Sequence, residues 1–423
     1  MTVAVVTSPE RIYHGWRVVA VLFLCTFMVF GASLYAFVVF AEPLAREFHW
    51  SAGQTGSLIS AMWLVAPLAL IGAPAVKRIG AWRLVVIGLG LQAVALAAID
   101  VITTFWQLYL LRIVMGFGKI ALMTGAPAIV SAWFSRRFAT AMALVWAGMS
   151  AGGLVLSPIA ERLEAALGWK GAALVLAGLM MATLFAARWI ASADPAAKGE
   201  QPSDEPSPDD APLRETGSAS VEKGWRNLSL PVTALMFWCV ICTGVLSIAV
   251  ITLMPPLVER AGISRAAAAA LLGLSAGGSM FGSGSIGWIT DRFGVRVGAV
   301  IVSLAVVSGL VGLGLLPGAP TIVLATSSAL AMGYAYGAGE MLWIALTRQV
   351  FGPGLFATAY GGYYLAVQLG YAVGGGLTGW VLDHFERAGV LAYLALLFTS
   401  PGVCSLLLRP ARRSHEVPVA NPQ

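Results

Sequence analysis

Apolar runs of about 20 residues or more, repeated along the whole chain with short polar turns between them, leave few options for its fold. They lie near residues 18–40, 53–76, 84–103, 105–132, 139–160 and 171–193, and again near 228–256, 267–290, 297–316, 320–346, 355–382 and 388–408. A helix of about 20 apolar residues crosses a hydrocarbon core of about 30 Å. Composition agrees: 58% of the 423 residues are hydrophobic and 11% charged, with a mean hydropathy of +0.83, whereas soluble domains carry about 25% charged residues. An ordinary soluble enzyme is excluded. The expected fold is an all-α membrane protein of twelve transmembrane helices in two pseudo-symmetric six-helix halves.

Residues 191–227 separate the two sets of six runs and contain KGEQPSDEPSPDDAPLRETGSAS, rich in Pro, Ser, Asp and Glu. Such a segment has too little apolar surface to bury and reads as a flexible linker. The expected organisation is therefore a tail over 1–17, a first half over 18–193, a linker over 194–227, a second half over 228–408 and a tail over 409–423. With the N-terminus inside, thirteen Lys and Arg residues, among them Arg78, Arg136, Arg292 and Arg412, fall at cytoplasmic loop ends and six at the opposite ends. That asymmetry predicts both termini and the linker to be cytoplasmic, in a bacterial-type inner or plasma membrane. The first apolar run lacks the short core and small-residue cleavage site of a signal peptide and reads as a retained span. The net charge of +6 is scattered over turns rather than gathered in a patch, which argues against nucleic acid. Cys25, Cys239, Cys242 and Cys404 all fall inside apolar runs and read as packing residues.

The halves resemble each other. KRIGAWR (77–83) follows the second run, and DRFGVRV (291–297) follows the eighth, 214 residues later. Phe138-Ala-Thr-Ala, after the fourth run, recurs from Phe356 at a spacing of 218. A duplicated six-helix unit is the arrangement of alternating-access carriers.

Several segments together resemble the major facilitator superfamily over nearly the whole length outside the linker and tails. GWITDRFGVR (287–296), with Gly287, Asp291, Arg292 and Gly294, is similar to the superfamily's loop signature; in the first copy Lys77 stands in place of the acid. Arg112-Ile-Val-Met-Gly116-Phe-Gly118 resembles the fourth-helix motif, and Gly148-Met-Ser-Ala-Gly152-Gly153 the glycine-rich fifth helix. Within the superfamily, YHGWRVV (13–19), WFSRRFATAMALVWAGMSAGG (133–153) and GWKGA (168–172) are most similar to monocarboxylate and oxalate/formate carriers. Two departures stand out. Tyr35-Ala36-Phe37 is followed by Val38 and Val39 where those carriers place a lysine, and about Ser283 stands where they place an eighth-helix arginine. The resemblance implies rocker-type alternating access, a midplane site lined by the fourth and tenth helices among others, and monomeric function.

Sorted by depth, three formal charges lie six or more residues from both ends of the expected spans: Arg112, Lys119 and Glu340. An ionised side chain at the bilayer centre costs at least about 2.5–3.5 kcal/mol, so each marks a polar cavity by default. Lys119 precedes Arg136 by 17 residues, about 25 Å along a helix, too far to reach the surface. It is the leading anion-binding candidate. Glu340 corresponds to Leu122 at the spacing of 218, within about one turn of Lys119 in depth; it reads either as a proton carrier or gate, or as a structural partner of Lys119. Arg112, two turns before Lys119 and nearer the outer end, is assigned by the resemblance to proton coupling or helix packing.

Tyr35, Tyr336, Trp343 and Tyr364 complete the candidate substrate site. Tyr336, Glu340 and Trp343 share a helix face at i, i+4, i+7, and tyrosine hydroxyls bind a carboxylate without a full buried charge. Gln54 and Gln368 are weaker polar candidates. No phosphate-binding loop, metal-ligand spacing or catalytic base emerges, so no cofactor, metal or enzymatic activity is expected. The reading is a secondary active transporter of a small organic anion, a monocarboxylate by preference, coupled to protons or a counter-anion and embedded in the bilayer. The alternative is a proton-driven exporter of hydrophobic or cationic compounds.

Overall fold

Backbone polar groups inside hydrocarbon must be bonded within the protein, which a helix achieves segment by segment. The computed structural model describes residues 14–134, 138–190, 230–316, 318, 321–385, 389–390 and 392–397, and among them no β-strand occurs. The linker, residues 1–13, the tail after 397 and therefore much of the last apolar run lie outside the described residues.

Helix α1 (His14–Phe30), a π-helical turn (Gly31–Tyr35) and α2 (Ala36–Phe48) form one continuous first crossing. Helix α3 (Ala52–Ala61) starts on a capping box in which Ser51 Oγ accepts from Gln54 N–H and the Gln54 side chain accepts from Ser51 N–H. After a turn at 62–65 the backbone continues as a 3₁₀ segment (Ala66–Ile71) and α4 (Gly72–Ile79). The second crossing, expected as one helix, is thus broken in the middle. Pro67, which has no N–H to return to Trp63 O, sits at this break, although Pro43, Pro127 and Pro158 lie within helices that continue past them. Helices α5 (Ala81–Ala97) and α6 (Phe105–Trp133) follow.

Helix α7 (Phe138–Ile190) has 53 residues and turns at Gly168, whose φ is 71°. Trp169 packs on Phe48, with centroids 6.3 Å apart, while Leu184 lies back beside Gly90 on α5, so the two legs run in opposite directions. In the second half come α8 (Leu230–Arg260), α9 (Arg265–Phe293), α10 (Val295–Leu315) and α11 (Ile322–His384). The 63 residues of α11 also double back, because Tyr371 hydrogen-bonds Glu340. Eight helical stretches among the described residues are long and apolar enough to cross a membrane. Their outer faces carry an apolar belt, with Val94 63%, Leu110 61%, Phe185 61% and Leu304 63% exposed.

The duplication is visible in the packing. Gly31 and Gly152 bring the first crossing and α7 into backbone contact, and Gly244 and Gly370 do the same for α8 and α11. Gly80 and Gly294 end equivalent helices at φ 90° and 86°, a backbone region that other residues rarely enter. Between the halves, α3 crosses α11 where Gly56 meets Gly375, and α7 crosses α9 where Gly273 meets Gly153 and Leu154.

Candidate functional site

The break in the second crossing and the π turn in the first both free backbone carbonyls, and Arg112 takes them. At the end of α3, Trp63 N–H bonds Ser60 O at 2.9 Å instead of Ile59 O. Arg112 Nε donates to Leu58 O at 2.9 Å and Nη2 to Ile59 O at 3.3 Å. Nη1 donates to Ser33 O in the π turn, and the guanidinium lies 4.0 Å from the Phe37 ring centroid. Ser33 Oγ in turn hydrogen-bonds Gln92 Oε1, and Gln92 Nε2 donates to Met115 O at 2.8 Å. This network is buried and joins the first four crossings. Arg112 is the clamp that holds Trp63 where the helix breaks, with its donors turned to backbone rather than to open space.

Lys119, two turns along α6, is equally buried but differently placed. Its Nζ has no hydrogen-bond partner and lies 3.1 Å from the centroid of the Trp63 ring. The indole Nε1 of Trp63 is buried and unpartnered too. The other side of this contact belongs to the second half: the Trp63 and Tyr371 rings are 4.4 Å apart, and Tyr371 OH donates to Glu340 Oε1. Lys119 and Glu340 therefore do not form an ion pair here. They are the ends of a stack, Lys119–Trp63–Tyr371–Glu340, that crosses from one half to the other.

Aromatic hydroxyls surround the acid. Tyr363 OH donates to Glu340 O at 3.3 Å, and Tyr35 and Tyr336 lie close enough to interact electrostatically with Glu340 and with each other. Tyr364 OH reaches Met123 Sδ at 3.3 Å and accepts from Gln368 Nε2 at 3.1 Å. Of the sequence candidates, Tyr35, Tyr336 and Glu340 come together and Lys119 joins them through Trp63. Trp343 is 2% exposed within the apolar core. Gln54 serves as a helix cap.

Gly294 makes the tight turn between α9 and α10, and the Arg292 guanidinium lies 5.7 Å from the Trp288 ring centroid. A Cβ at Gly287 would meet nothing within 4 Å. The side chain of Asp291 lies outside the described residues.

Sequence reading passed over Trp63, Tyr371 and Gln92. Trp63 had a usable signal in its position four residues before Pro67. Tyr371 continues the i, i+4, i+7 series of Tyr364 and Gln368. Gln92 is a lone amide in an apolar run, the kind of group that the bilayer tolerates only when partnered.

The sequence profile of the Major Facilitator Superfamily matches residues 22–375. Among curated relatives, monocarboxylate transporter 12 of Rattus norvegicus is 26% identical over 421 residues, spanning 93% of this chain and 85% of the relative. Monocarboxylate transporter 11 of Homo sapiens is 28% identical over 384 residues, spanning 88% and 77%. Two solved structures share the fold. The nucleoside transporter NupG aligns with a TM-score of 0.70 at 15% identity over 94% of this chain and 97% of its own. An inward-facing, unoccupied bacterial homolog of the human lysosomal transporter Spinster gives 0.69 at 16% identity over 94% and 95%. Matched across most of its length and built on the same two-part helical plan, the chain belongs to the Major Facilitator Superfamily, a family of membrane transporters rather than enzymes.

Proposed function

We propose that this protein is a secondary active carrier of small organic anions, monocarboxylates foremost, working by alternating access in an inner or plasma membrane with both termini cytoplasmic and as a monomer. The observation that carries this reading is the buried, unpartnered ammonium of Lys119. A buried cation without a counter-ion is costly unless an anion completes it during the working cycle. Arg112 cannot play that part, because its donors are already bonded to carbonyls. Tyr35, Tyr336, Trp343 and Tyr364 furnish an aromatic, sparsely polar lining that suits a substrate with an apolar body. Relatives named monocarboxylate transporters support the same class. Glu340, held by tyrosines instead of by a cation, is the group placed to take up and release a coupled proton.

The test is uptake of labelled L-lactate and benzoate into proteoliposomes, wild type against Lys119→Ala, with and without an inward proton gradient. Gradient-driven uptake is expected in the wild type. Loss of a charge-assisted contact predicts at least about a tenfold fall in the variant. Wild-type protein that moves neither acid, or a Lys119→Ala protein that moves them as well as wild type, overturns the reading. An exporter of organic cations would show the reverse, since removing the lysine charge would speed it.

A further inference from the structure

Trp63 Nε1 and Lys119 Nζ are hydrogen-bond donors buried against one another with no acceptor between them. A buried polar group left unpaired is costly, and two on side chains that touch call for a common explanation. Among the described residues the other side-chain atom of this kind, Thr252 Oγ1, is a lone hydroxyl on α8.

We propose that Trp63 is a substrate-contacting residue, its indole N–H and the Lys119 ammonium together forming a two-donor seat for a single carboxylate. The proposal rests on the anion-carrier reading above. Its geometry divides the work between a fixed donor and a movable one. Trp63 stands at the break before Pro67, with Arg112 gripping the carbonyls of Leu58 and Ile59 in the preceding turn and Tyr371 against its ring, so its N–H keeps one direction. Lys119 has a flexible stem, and its ammonium rests on the indole face in a cation–π contact that desolvation strengthens. An arriving carboxylate takes one oxygen to the indole N–H and draws the ammonium off the ring to the other oxygen.

The seat also sets the charge that fits. It has one cation, and the neighbouring groups across the stack are Tyr371 and the carboxyl of Glu340. A second carboxylate on the substrate would be placed against that acid or in the apolar core. The seat therefore selects monocarboxylates and excludes dicarboxylates. Displacing the ammonium alters the ring on which Tyr371 leans, so occupancy at Lys119 is transmitted to the hydroxyl bonded to Glu340.

The experiment uses the full chain in proteoliposomes and labelled L-lactate and benzoate, with succinate as competitor. Trp63→Phe keeps an aromatic face for Lys119 and Tyr371 and removes only the donor. Losing a hydrogen bond to a charged group should raise KM about tenfold while Vmax stays within about twofold. Replacing Trp63 by 3-benzothienylalanine, the same shape without the N–H, should reproduce that shift and carries the test if the Phe variant reconstitutes poorly. Succinate should not compete with lactate in the wild type. An unchanged KM in the Trp63 variants, with Lys119→Ala inactive, overturns the seat and leaves the carrier reading standing. Competition by succinate at lactate-like concentrations overturns the charge selection. Carboxylate uptake absent from the wild type, or indifferent to Lys119→Ala, overturns the carrier reading and the seat with it.

Discussion

Arg112 and Lys119 lie seven residues apart on α6, are both fully buried, and have unlike surroundings. Arginine presents five donors in a planar fork, and Arg112 spends them on the carbonyls of Leu58 and Ile59 at the end of α3, on Ser33 O in the π turn and on the sulfurs of Met62 and Met115. Lysine presents a point charge on a flexible stem, and Lys119 has only a ring beneath it. Arg112→Lys cannot reach the three carbonyls at once, and each one left unpaired costs about 1–3 kcal/mol. The variant is expected to melt several degrees below wild type in detergent, whereas Lys119→Ala should melt at or above it, since it removes an unpartnered buried charge. An Arg112→Lys midpoint equal to wild type would show that other groups can take over these carbonyls. Charge and depth alone singled out both residues in the sequence, and Glu340 with them, because an ionisable side chain inside an apolar run is conspicuous. Trp63 and Tyr371 were not legible in that way. Aromatic side chains are common in membrane helices, and the cues these two carry, a proline four residues on and an i, i+4, i+7 spacing, single them out only once the tertiary contact is seen.

At the scale of the element, hydropathy located the crossings and missed their interruptions. The run at 53–76 is apolar throughout, yet α3 gives way to a turn and a 3₁₀ segment before α4; the run at 18–40 carries a π turn that no residue type announces. Pro67 was a readable sign of the first, and nothing comparable marks the second. Helix crossings are easier to read, because backbone contact demands glycine. A Cβ on Gly375 would overlap Gly56 O and stand 3.0 Å from Gly56 C, atoms that cannot rotate away. Gly375→Ala should therefore separate α3 from α11, lower the melting temperature and reduce transport. Gly178 is the control: it is helical, with no atom within 4 Å of an added Cβ, and alanine there should leave stability unchanged or raise it by up to about 1 kcal/mol. Equal effects of the two substitutions on the midpoint would reject the crossing argument.

At the scale of the whole molecule, the two-part plan was legible because it is written twice, in the runs and in the paired motifs at 77–83 and 291–297. What the sequence could not show is how the halves are closed on each other in this structure. The end of the bundle away from His14 is latched by polar groups from both halves. Arg265 of α9 donates to Val39 O at 3.1 Å, pairs with Glu164 at 3.0 Å and approaches Glu42 at 3.8 Å. Asp383, at the far end of α11, accepts from Ala52 N–H at 3.0 Å and Gly53 N–H at 2.8 Å, the first turn of α3, where a negative charge is favoured by the helix dipole. These contacts exist only while that end is shut, so removing them destabilises this state relative to its opposite without touching the Lys119 site. Partly exposed pairs contribute about 0.2–1 kcal/mol each, enough together to shift the populations several-fold. Arg265→Ala combined with Asp383→Asn should lengthen the distance between spin labels at Ala166→Cys and Arg260→Cys, positions exposed at that end in opposite halves. The shift should be largest in dilute buffer and fade as salt screens the surviving latch in the parent protein. Distance distributions that coincide in parent and variant at low salt would mean that packing alone, chiefly the glycine crossings, holds the end closed.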